Sequence, residues 1–149
     1  MSPPNDTPDP MHISALPQQP PMRLVEEIVA VSPGERATTR RLTRPDDFYF
    51  QGHFPGQPIV PAIILVELLA QTGGLAVASA RTEHHERPRQ LRVAGFGPCK
   101  FPAAAGVGVT LEVNARLVGK FGDVFKIEGD VTADGVLVAT GSVMLAAPR

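Results

Sequence analysis

One apolar stretch, from about Ala62 to Ala80, constrains the fold of this chain more than any other segment. Nearly every side chain in its first half is apolar, so a helix formed here would be hydrophobic almost all round and should be buried. The stretch approaches the length of a membrane span, yet it contains Glu67, Gln71 and Gly73-Gly74. Because an ionisable group at mid-bilayer costs roughly 2.5–3.5 kcal/mol on insertion scales, we predict a buried core helix and no membrane association.

The segment that precedes this helix is a stiff loop that contains a histidine. Residues 50–61 read FQGHFPGQPIVP, so His53 stands among three prolines and two glycines. Proline fixes the backbone and lacks an amide donor, whereas glycine permits turns that a side chain would block. We expect this loop to hold His53 in a defined position beside the helix.

His53 and Glu67 are therefore a candidate base and a candidate acid. Burial among apolar side chains disfavours an ionised carboxylate, so we expect Glu67 to be able to donate a proton. Gln71 lies one turn further along the same helix face. Taken singly, each residue is explained as well by a structural role, because a lone histidine or buried glutamate often bonds a neighbouring backbone group.

The remainder of the chain has the pattern of a mostly antiparallel sheet. Alternating or short apolar runs between turn signals predict six strands, over about residues 22–31, 35–42, 91–96, 107–117, 125–131 and 136–145. Asp134-Gly135 predicts a tight hairpin, and Asp46 and Asp47 are candidate caps for a short helical turn before the loop. One helix among these strands predicts an α+β fold.

The loop and the helix together resemble the signature of the (3R)-hydroxyacyl-[acyl-carrier-protein] dehydratases of the FabZ type. The resemblance rests on His53-Phe54-Pro55-Gly56-Gln57-Pro58-Ile59-Val60-Pro61 and, 14 residues after the histidine, on Glu67-Leu68-Leu69-Ala70-Gln71. It extends weakly from about Leu16 to Ala146.

The resemblance implies a hot-dog fold, in which a curved antiparallel sheet wraps a long central helix and two protomers pair edge to edge. The implied activity is dehydration of a (3R)-3-hydroxyacyl thioester on acyl carrier protein to a trans-2-enoyl thioester. His53 would take the α-proton, and Glu67 of the other protomer would protonate the departing hydroxyl.

The resemblance also assigns supporting roles and partners. The backbone N–H of Ala62 would polarise the thioester carbonyl, and Gln71 would orient Glu67. The active-site loop would include Phe54, Pro55, Gly56 and Pro61. We expect a homodimer, or a trimer of such dimers, that needs no metal and no cofactor beyond the phosphopantetheine of acyl carrier protein.

Several positions depart from the family pattern. Ala62 stands where the family usually has glycine, and Ala94-Gly95-Phe96-Gly97 replaces Ala-Gly-Ile-Asp. Lys100-Phe101 replaces Arg-Phe, and Gln18-Gln19-Pro20-Pro21-Met22 replaces His-Arg-x-Pro-Phe. These changes leave open the acyl chain length and the choice between fatty-acid synthesis and a specialised polyene or polyketide pathway.

Two other functions compete with dehydration. A hot-dog thioesterase would use the acidic residue to activate water against the thioester. A non-catalytic acyl-binding protein, or the partner subunit of a dehydratase, would result if Ala62 spoiled the carbonyl-binding position. The intact His53 and Glu67 favour the dehydratase.

Composition limits the class of protein further. The chain of 149 residues suits one domain, which we place at residues 22–149 after a proline-rich, disordered tail at 1–21. A net charge of −1 argues against nucleic-acid binding. Cys99 has no cysteine partner and no secretory signal is evident, which favours a reducing, cytoplasmic setting.

Basic side chains form one further candidate feature. Arg36, Arg40, Arg41 and Lys100 could contact an acidic carrier protein, although charges on a solvated sheet edge would look the same. The adjacent pair His84-His85 lacks further ligands at metal-binding spacing, so we predict no metal site.

Overall fold

The computed structural model describes residues 11–78 and 90–147. Within them, one α-helix packs against one six-stranded antiparallel sheet, which confirms the predicted α+β arrangement. The helix α1 spans Ala62–Ala78. The strands are β1 Glu27–Ser32, β2 Arg36–Leu42, β3 Arg92–Lys100, β4 Thr110–Phe121, β5 Val124–Ala133 and β6 Val136–Ala146. Short 3-10 turns occupy Ile13–Ala15 and Phe48–Phe50.

The strands lie in the order β1-β2-β4-β5-β6-β3. The hairpin between β5 and β6 turns at Asp134 and Gly135, whose φ angles are 47° and 86°. Positive φ at both central residues is what a type I′ turn requires, so the predicted hairpin is confirmed. β3 pairs with β6 on one side only and forms an edge of the sheet.

One face of α1 packs closely on the sheet. A Cβ added at Gly73 would lie 2.8 Å from Cγ2 and 2.9 Å from Cγ1 of Ile127 on β5, whereas one added at Gly74 would meet no described atom within 4 Å. Close helix–sheet approach therefore explains the first glycine of the pair and not the second.

Most of α1 is buried, which agrees with the predicted core helix, but its first two residues are not. Ile63 is 76% exposed, and Val66 and Glu67 are only half-buried. The exposure is confined to the start of the helix, because the residues from Leu68 to Ala70 and from Leu75 to Val77 are buried. No helix among the described residues is both long and apolar enough to cross a membrane.

Residues 11–21 differ from the disordered tail that their composition predicts. Leu16 is only 2% exposed and belongs to the core, and the preceding turn, Ile13–Ala15, begins with the Ser14 N–H donating to Nδ1 of His12. One buried leucine thus anchors a proline-rich segment. Residues 1–10 of the predicted tail, the end of the predicted helix at 79–80 and the loop with His84-His85 lie outside the described residues.

The boundaries of three strands, β1, β3 and β4, differ from the prediction by more than two residues. Residues 24 and 25 are not in a strand, because their amides bond the side chain of Gln71 instead of a neighbouring strand. β3 continues to Lys100, since Pro98 lies at an irregularity of this edge strand, where a missing amide is tolerated. β4 begins at Thr110 and runs through Gly119 to Phe121.

Candidate active site

The loop before α1 fixes the ring of His53 through backbone contacts. Nδ1 of His53 lies 3.1 Å from the carbonyl oxygen of Ile59. Because a carbonyl only accepts, Nδ1 carries the proton, and Nε2 of the neutral ring is then the nitrogen with a free lone pair. The ring also stacks on Phe54 at a centroid distance of 4.3 Å.

Backbone hydrogen bonds hold the same loop at both ends. The His53 N–H donates to the Phe50 carbonyl at 3.1 Å, and the Ile59 N–H donates to the His53 carbonyl at 2.9 Å. Gly56 has a φ of 78°, in the left-handed region that side chains disfavour. Phe54, Pro55 and Gly56 are exposed at the tip of the loop.

Glu67 and Gln71 are joined on α1 as the helical spacing predicts. Nε2 of Gln71 donates to Oε1 of Glu67 at 3.1 Å and also to the Met22 carbonyl at 2.7 Å. Its Oε1 accepts from the Leu24 N–H at 3.0 Å. Gln71 is buried, so its amide group is fixed by these bonds and in turn fixes the Glu67 carboxyl group.

The first turn of α1 contributes free amide groups. The Pro61 carbonyl accepts from the N–H groups of Ile64 and Leu65, whereas the N–H groups of Ala62 and Ile63 have no backbone partner in the described part of the chain. Unpaired amides at a helix N-terminus, with the positive end of the helix dipole, favour a developing negative charge.

Glu67 and the start of α1 line one apolar cavity of about 560 Å³. The helix, the edge strand β3 and the N-terminal segment form its walls. The lining residues are Met22, Ala62, Ile63, Ile64, Val66, Glu67, Val93, Phe96, Gly97, Cys99 and Phe101. The structure thus brings the candidate acid and the candidate carbonyl-binding amide together, while His53 is not among the lining residues.

The four candidate carrier-binding side chains do not form one patch. Arg36 begins β2 near the C-terminal end of α1, where the Gly34 N–H donates to the Ala76 carbonyl. Lys100 ends β3 at the far edge of the sheet, and Arg40 lies 3.6 Å from Glu112 in a solvated pair. Arg41 is only 11% exposed and is bonded inside the protein.

Sequence reasoning missed a buried polar cluster beneath the His53 loop, made of Arg41, Asp47 and Tyr49. Asp47 forms no cap bond with the turn that follows it. Instead its carboxylate accepts from Arg41 at 2.7 Å, from the Tyr49 hydroxyl at 2.7 Å and from the Arg44 N–H at 2.9 Å. The spacing of Asp47 and Tyr49 just before the loop is the only signal that the sequence offers.

The charges in this cluster stabilise one another. Burial alone would raise the pKa of Asp47, but the hydrogen bonds and the positive charge of Arg41 lower it below its usual value. Burial and the bond to Asp47 raise the pKa of Tyr49. Burial alone would lower the pKa of Arg41, but Tyr49 and Asp47 raise it. All three groups therefore keep their ordinary charge states at neutral pH.

Within residues 11–78 and 90–147, no three His, Cys, Asp or Glu side chains are grouped so that they could hold a metal ion.

The sequence of this chain is similar to a known family and to known dehydratases. The model of the FabA-like domain family matches residues 16–142. The chain is 34% identical over 134 residues to the 3-hydroxyacyl-[acyl-carrier-protein] dehydratase FabZ of Roseiflexus sp. strain RS-1, covering 90% of this chain and 92% of that protein. It is 33% identical, with the same coverage, to the FabZ dehydratase of Roseiflexus castenholzii.

Solved structures agree on the fold. The dehydratase heterocomplex ApeI:P of Xenorhabdus doucetiae superposes with a TM-score of 0.78 at 20% identity, covering 91% of this chain and 90% of that chain. A hypothetical thioesterase of Streptococcus pneumoniae superposes with a TM-score of 0.62 at 14% identity, covering 82% of this chain and 84% of that one. These likenesses confirm the predicted hot-dog fold.

Proposed function

The chain belongs to the FabA-like domain family, and we propose that it is a hydro-lyase that dehydrates (3R)-3-hydroxyacyl thioesters on acyl carrier protein to trans-2-enoyl thioesters. The reaction serves fatty-acid synthesis or a related polyene or polyketide pathway. One observation carries the proposal beyond family membership: Glu67 and Ala62, whose N–H has no backbone partner in the described part of the chain, line the same apolar cavity. An apolar cavity suits an acyl chain, and an acid and a carbonyl-binding amide suit the thioester that the chain carries.

The mechanism requires two proton transfers. Nε2 of His53 takes the α-proton, while the N–H of Ala62 stabilises the negative charge that develops on the thioester oxygen. The C–O bond at the β-carbon then breaks, and the hydroxyl leaves as water with a proton from Glu67. Gln71 donates to Oε1 of Glu67, so the transferred proton resides on Oε2. The proton on His53 restores Glu67 after product release.

The site is composite in this proposal, with His53 and Glu67 supplied by different protomers. His53 is absent from the lining of the cavity that Glu67 faces. Ile63 on α1 and Phe96 on β3 are 76% and 63% exposed in the single chain, and β3 has an unpaired edge. Large apolar side chains exposed in this way support a homodimer that buries them, either alone or in a trimer of dimers.

Carrier protein and cofactor requirements follow from the chemistry. The substrate is held on the phosphopantetheine of acyl carrier protein, and the reaction uses proton transfer alone. We therefore propose no metal and no further cofactor. Arg36, Arg40 and Lys100 are exposed but dispersed, and Arg41 is internal. We therefore propose no shared basic patch for the carrier protein; a contact with it would involve one of the three exposed side chains by itself.

The test is an assay of 3-hydroxybutyryl-carrier protein with wild type, His53→Ala and Glu67→Gln side by side. We expect crotonyl-carrier protein from wild type and a fall of at least about 100-fold in each variant, because each variant lacks an acid–base group. Release of free carrier thiol would support the thioesterase instead.

Ala62→Gly distinguishes the non-catalytic alternative. Both residues keep the backbone N–H, so we expect the rate to change by less than about tenfold, or about 1.4 kcal/mol. A wild type without activity on short or long chains, together with a large gain in Ala62→Gly, would show that the methyl group blocks the site.

A further inference from the structure

Arg41 donates to three acceptors in two separate segments of the chain. Its Nε donates to the Tyr49 hydroxyl at 3.0 Å, its Nη2 to Oδ1 of Asp47 at 2.7 Å, and its Nη1 to the carbonyl oxygen of Leu24 at 2.9 Å. Each donor group of the planar guanidinium has its own acceptor. A side chain held in this way is an internal brace for the segments around it.

On one side, Arg41 supports the loop of His53. Tyr49 and Asp47 belong to the turn before that loop, and both are nearly inaccessible to solvent. The Asp47 carbonyl accepts from the Phe50 N–H at 3.1 Å, and the Phe50 carbonyl accepts from the His53 N–H at 3.1 Å. A displaced Arg41 would therefore displace the backbone that sets the position of His53.

On the other side, Arg41 supports Glu67. The Leu24 peptide accepts from Arg41 through its carbonyl and donates through its N–H to Oε1 of Gln71 at 3.0 Å. Gln71 in turn donates to Oε1 of Glu67 at 3.1 Å. The orientation of the Gln71 amide, which decides whether it donates to Glu67, depends on this peptide together with the Met22 carbonyl and the Val25 N–H.

We propose that Arg41 is a positioning residue for both His53 and Glu67 of its own chain, through two branches of one buried hydrogen-bond network. The inference rests on the proposed function, in which the two groups of one chain act in different sites. Each Arg41 then positions His53 in one site of the dimer and Glu67 in the other. The side chain that looked like a carrier contact in the sequence has an internal role.

The first experiment compares Arg41→Lys with two matched controls. A lysine ammonium cannot reach the three acceptors with the fork geometry of arginine. Arg116→Lys makes the same chemical change on β4, in an exposed pair with Glu128. Thr39→Val removes a buried bond between β2 and α1, that of Thr39 to Thr72 at 2.8 Å, outside the network. It therefore controls for lost stability.

We expect kcat of Arg41→Lys to fall by at least about tenfold with KM changed less than about twofold, since small displacements of reacting groups lower the rate more than binding. Both controls should keep kcat within about twofold of wild type. The NMR resonances of the His53 ring and of the Gln71 side-chain amide should shift in Arg41→Lys and stay in place in Arg116→Lys.

Mixed dimers test the two branches separately. When one protomer carries His53→Ala and its partner carries Glu67→Gln, one site is intact, with Glu67 from the first protomer and His53 from the second. Arg41→Lys is then placed in either protomer. We expect a fall of at least about tenfold in kcat in both arrangements.

The possible failures are distinguishable. A change within about twofold in either arrangement, or unshifted resonances in Arg41→Lys, would overturn the positioning role. A wild type that dehydrates no substrate would refute the proposed function, while the resonances would still decide whether Arg41 positions both groups. An active wild type with an inactive mixed dimer would refute the shared site. It would also refute the inference that one Arg41 positions residues of two active sites.

Discussion

Gly73→Ala should destabilise the protein, although alanine favours a helix more than glycine does. The glycine lies in the middle of α1, where the helix touches β5. Its missing side chain matters because a Cβ there would lie 2.8 Å and 2.9 Å from the two γ-carbons of Ile127. Carbon atoms normally pack at about 3.5–4.0 Å, so the helix or the strand must move.

The size of the effect follows from two opposing terms. Overpacking a core costs roughly 1–3 kcal/mol, and two contacts with a fully buried, β-branched neighbour put this site in the upper half of that range. Replacing a helical glycine by alanine stabilises the helix by about 1 kcal/mol. The expected net loss in the free energy of unfolding is therefore about 1–2 kcal/mol.

Gly74→Ala is the matched control, since the added methyl group meets no described atom within 4 Å. It should stabilise the protein by about 1 kcal/mol. Urea unfolding at a fixed protomer concentration measures both changes from the transition midpoints. A displaced α1 would also carry Glu67 out of place, so Gly73→Ala should lower kcat as well.

A double-mutant cycle tests the cause. Ile127→Ala alone should cost about 2–5 kcal/mol through the cavity it leaves, and that cost should shrink by at least about 1 kcal/mol in the Gly73→Ala background, where the new methyl group fills part of the space. If the two effects are additive, or if Gly73→Ala stabilises as much as Gly74→Ala, the contact with Ile127 does not explain this glycine.

Three further predictions test other parts of the structure. Asp47→Asn should lose about 1.5–3 kcal/mol at neutral pH. Because the pKa of Asp47 is lowered on folding, urea titrations should show this deficit begin to shrink as pH falls below about 4 and vanish only below the lowered pKa of the folded state; a pH-independent deficit would contradict the ion pair. Phe96→Ala should weaken the dimer by about 1–2 kcal/mol for each copy, measured by sedimentation equilibrium, unless Phe96 lies outside the interface. Leu16→Ala should cost about 2–5 kcal/mol in urea unfolding, whereas no cost would mean that residues 11–21 are not anchored.

Most of the fold follows from local patterns in the sequence. The alternation along β4 and β5 and the turn at Asp134-Gly135 are short-range signals, and they placed these strands and their hairpin correctly. The spacing of Glu67 and Gln71 likewise predicts a contact that the helix then makes. Each of these inferences needs only the geometry of one element.

The exposure of charged and apolar side chains could not be predicted in the same way. Arg41 reads as one of several basic residues on a strand, but its partners Leu24 and Asp47 reach it through tertiary contacts. Ile63 reads as a core residue, yet it is 76% exposed at the start of a helix that is mostly buried. Hydropathy does not distinguish a buried face from an apolar face that one chain leaves open.

The N-terminal segment shows the limit of composition. Its prolines are typical of a disordered chain, but Leu16 fills a place in the core and orders its neighbours. A single apolar residue is too weak a signal to find in a proline-rich sequence. The role of Pro98 is similar, because only the edge position of β3 makes it compatible with a strand.

The most direct test of the composite active site is complementation between two inactive variants. Homodimers of His53→Ala and of Glu67→Gln should each lack dehydratase activity, because neither forms a complete site. After the two are mixed equally, unfolded and refolded together, half of the dimers are mixed and each has one intact site, so about a quarter of the wild-type rate should return. If no activity returns while mixed dimers are present, His53 and Glu67 are not shared between protomers in the way proposed.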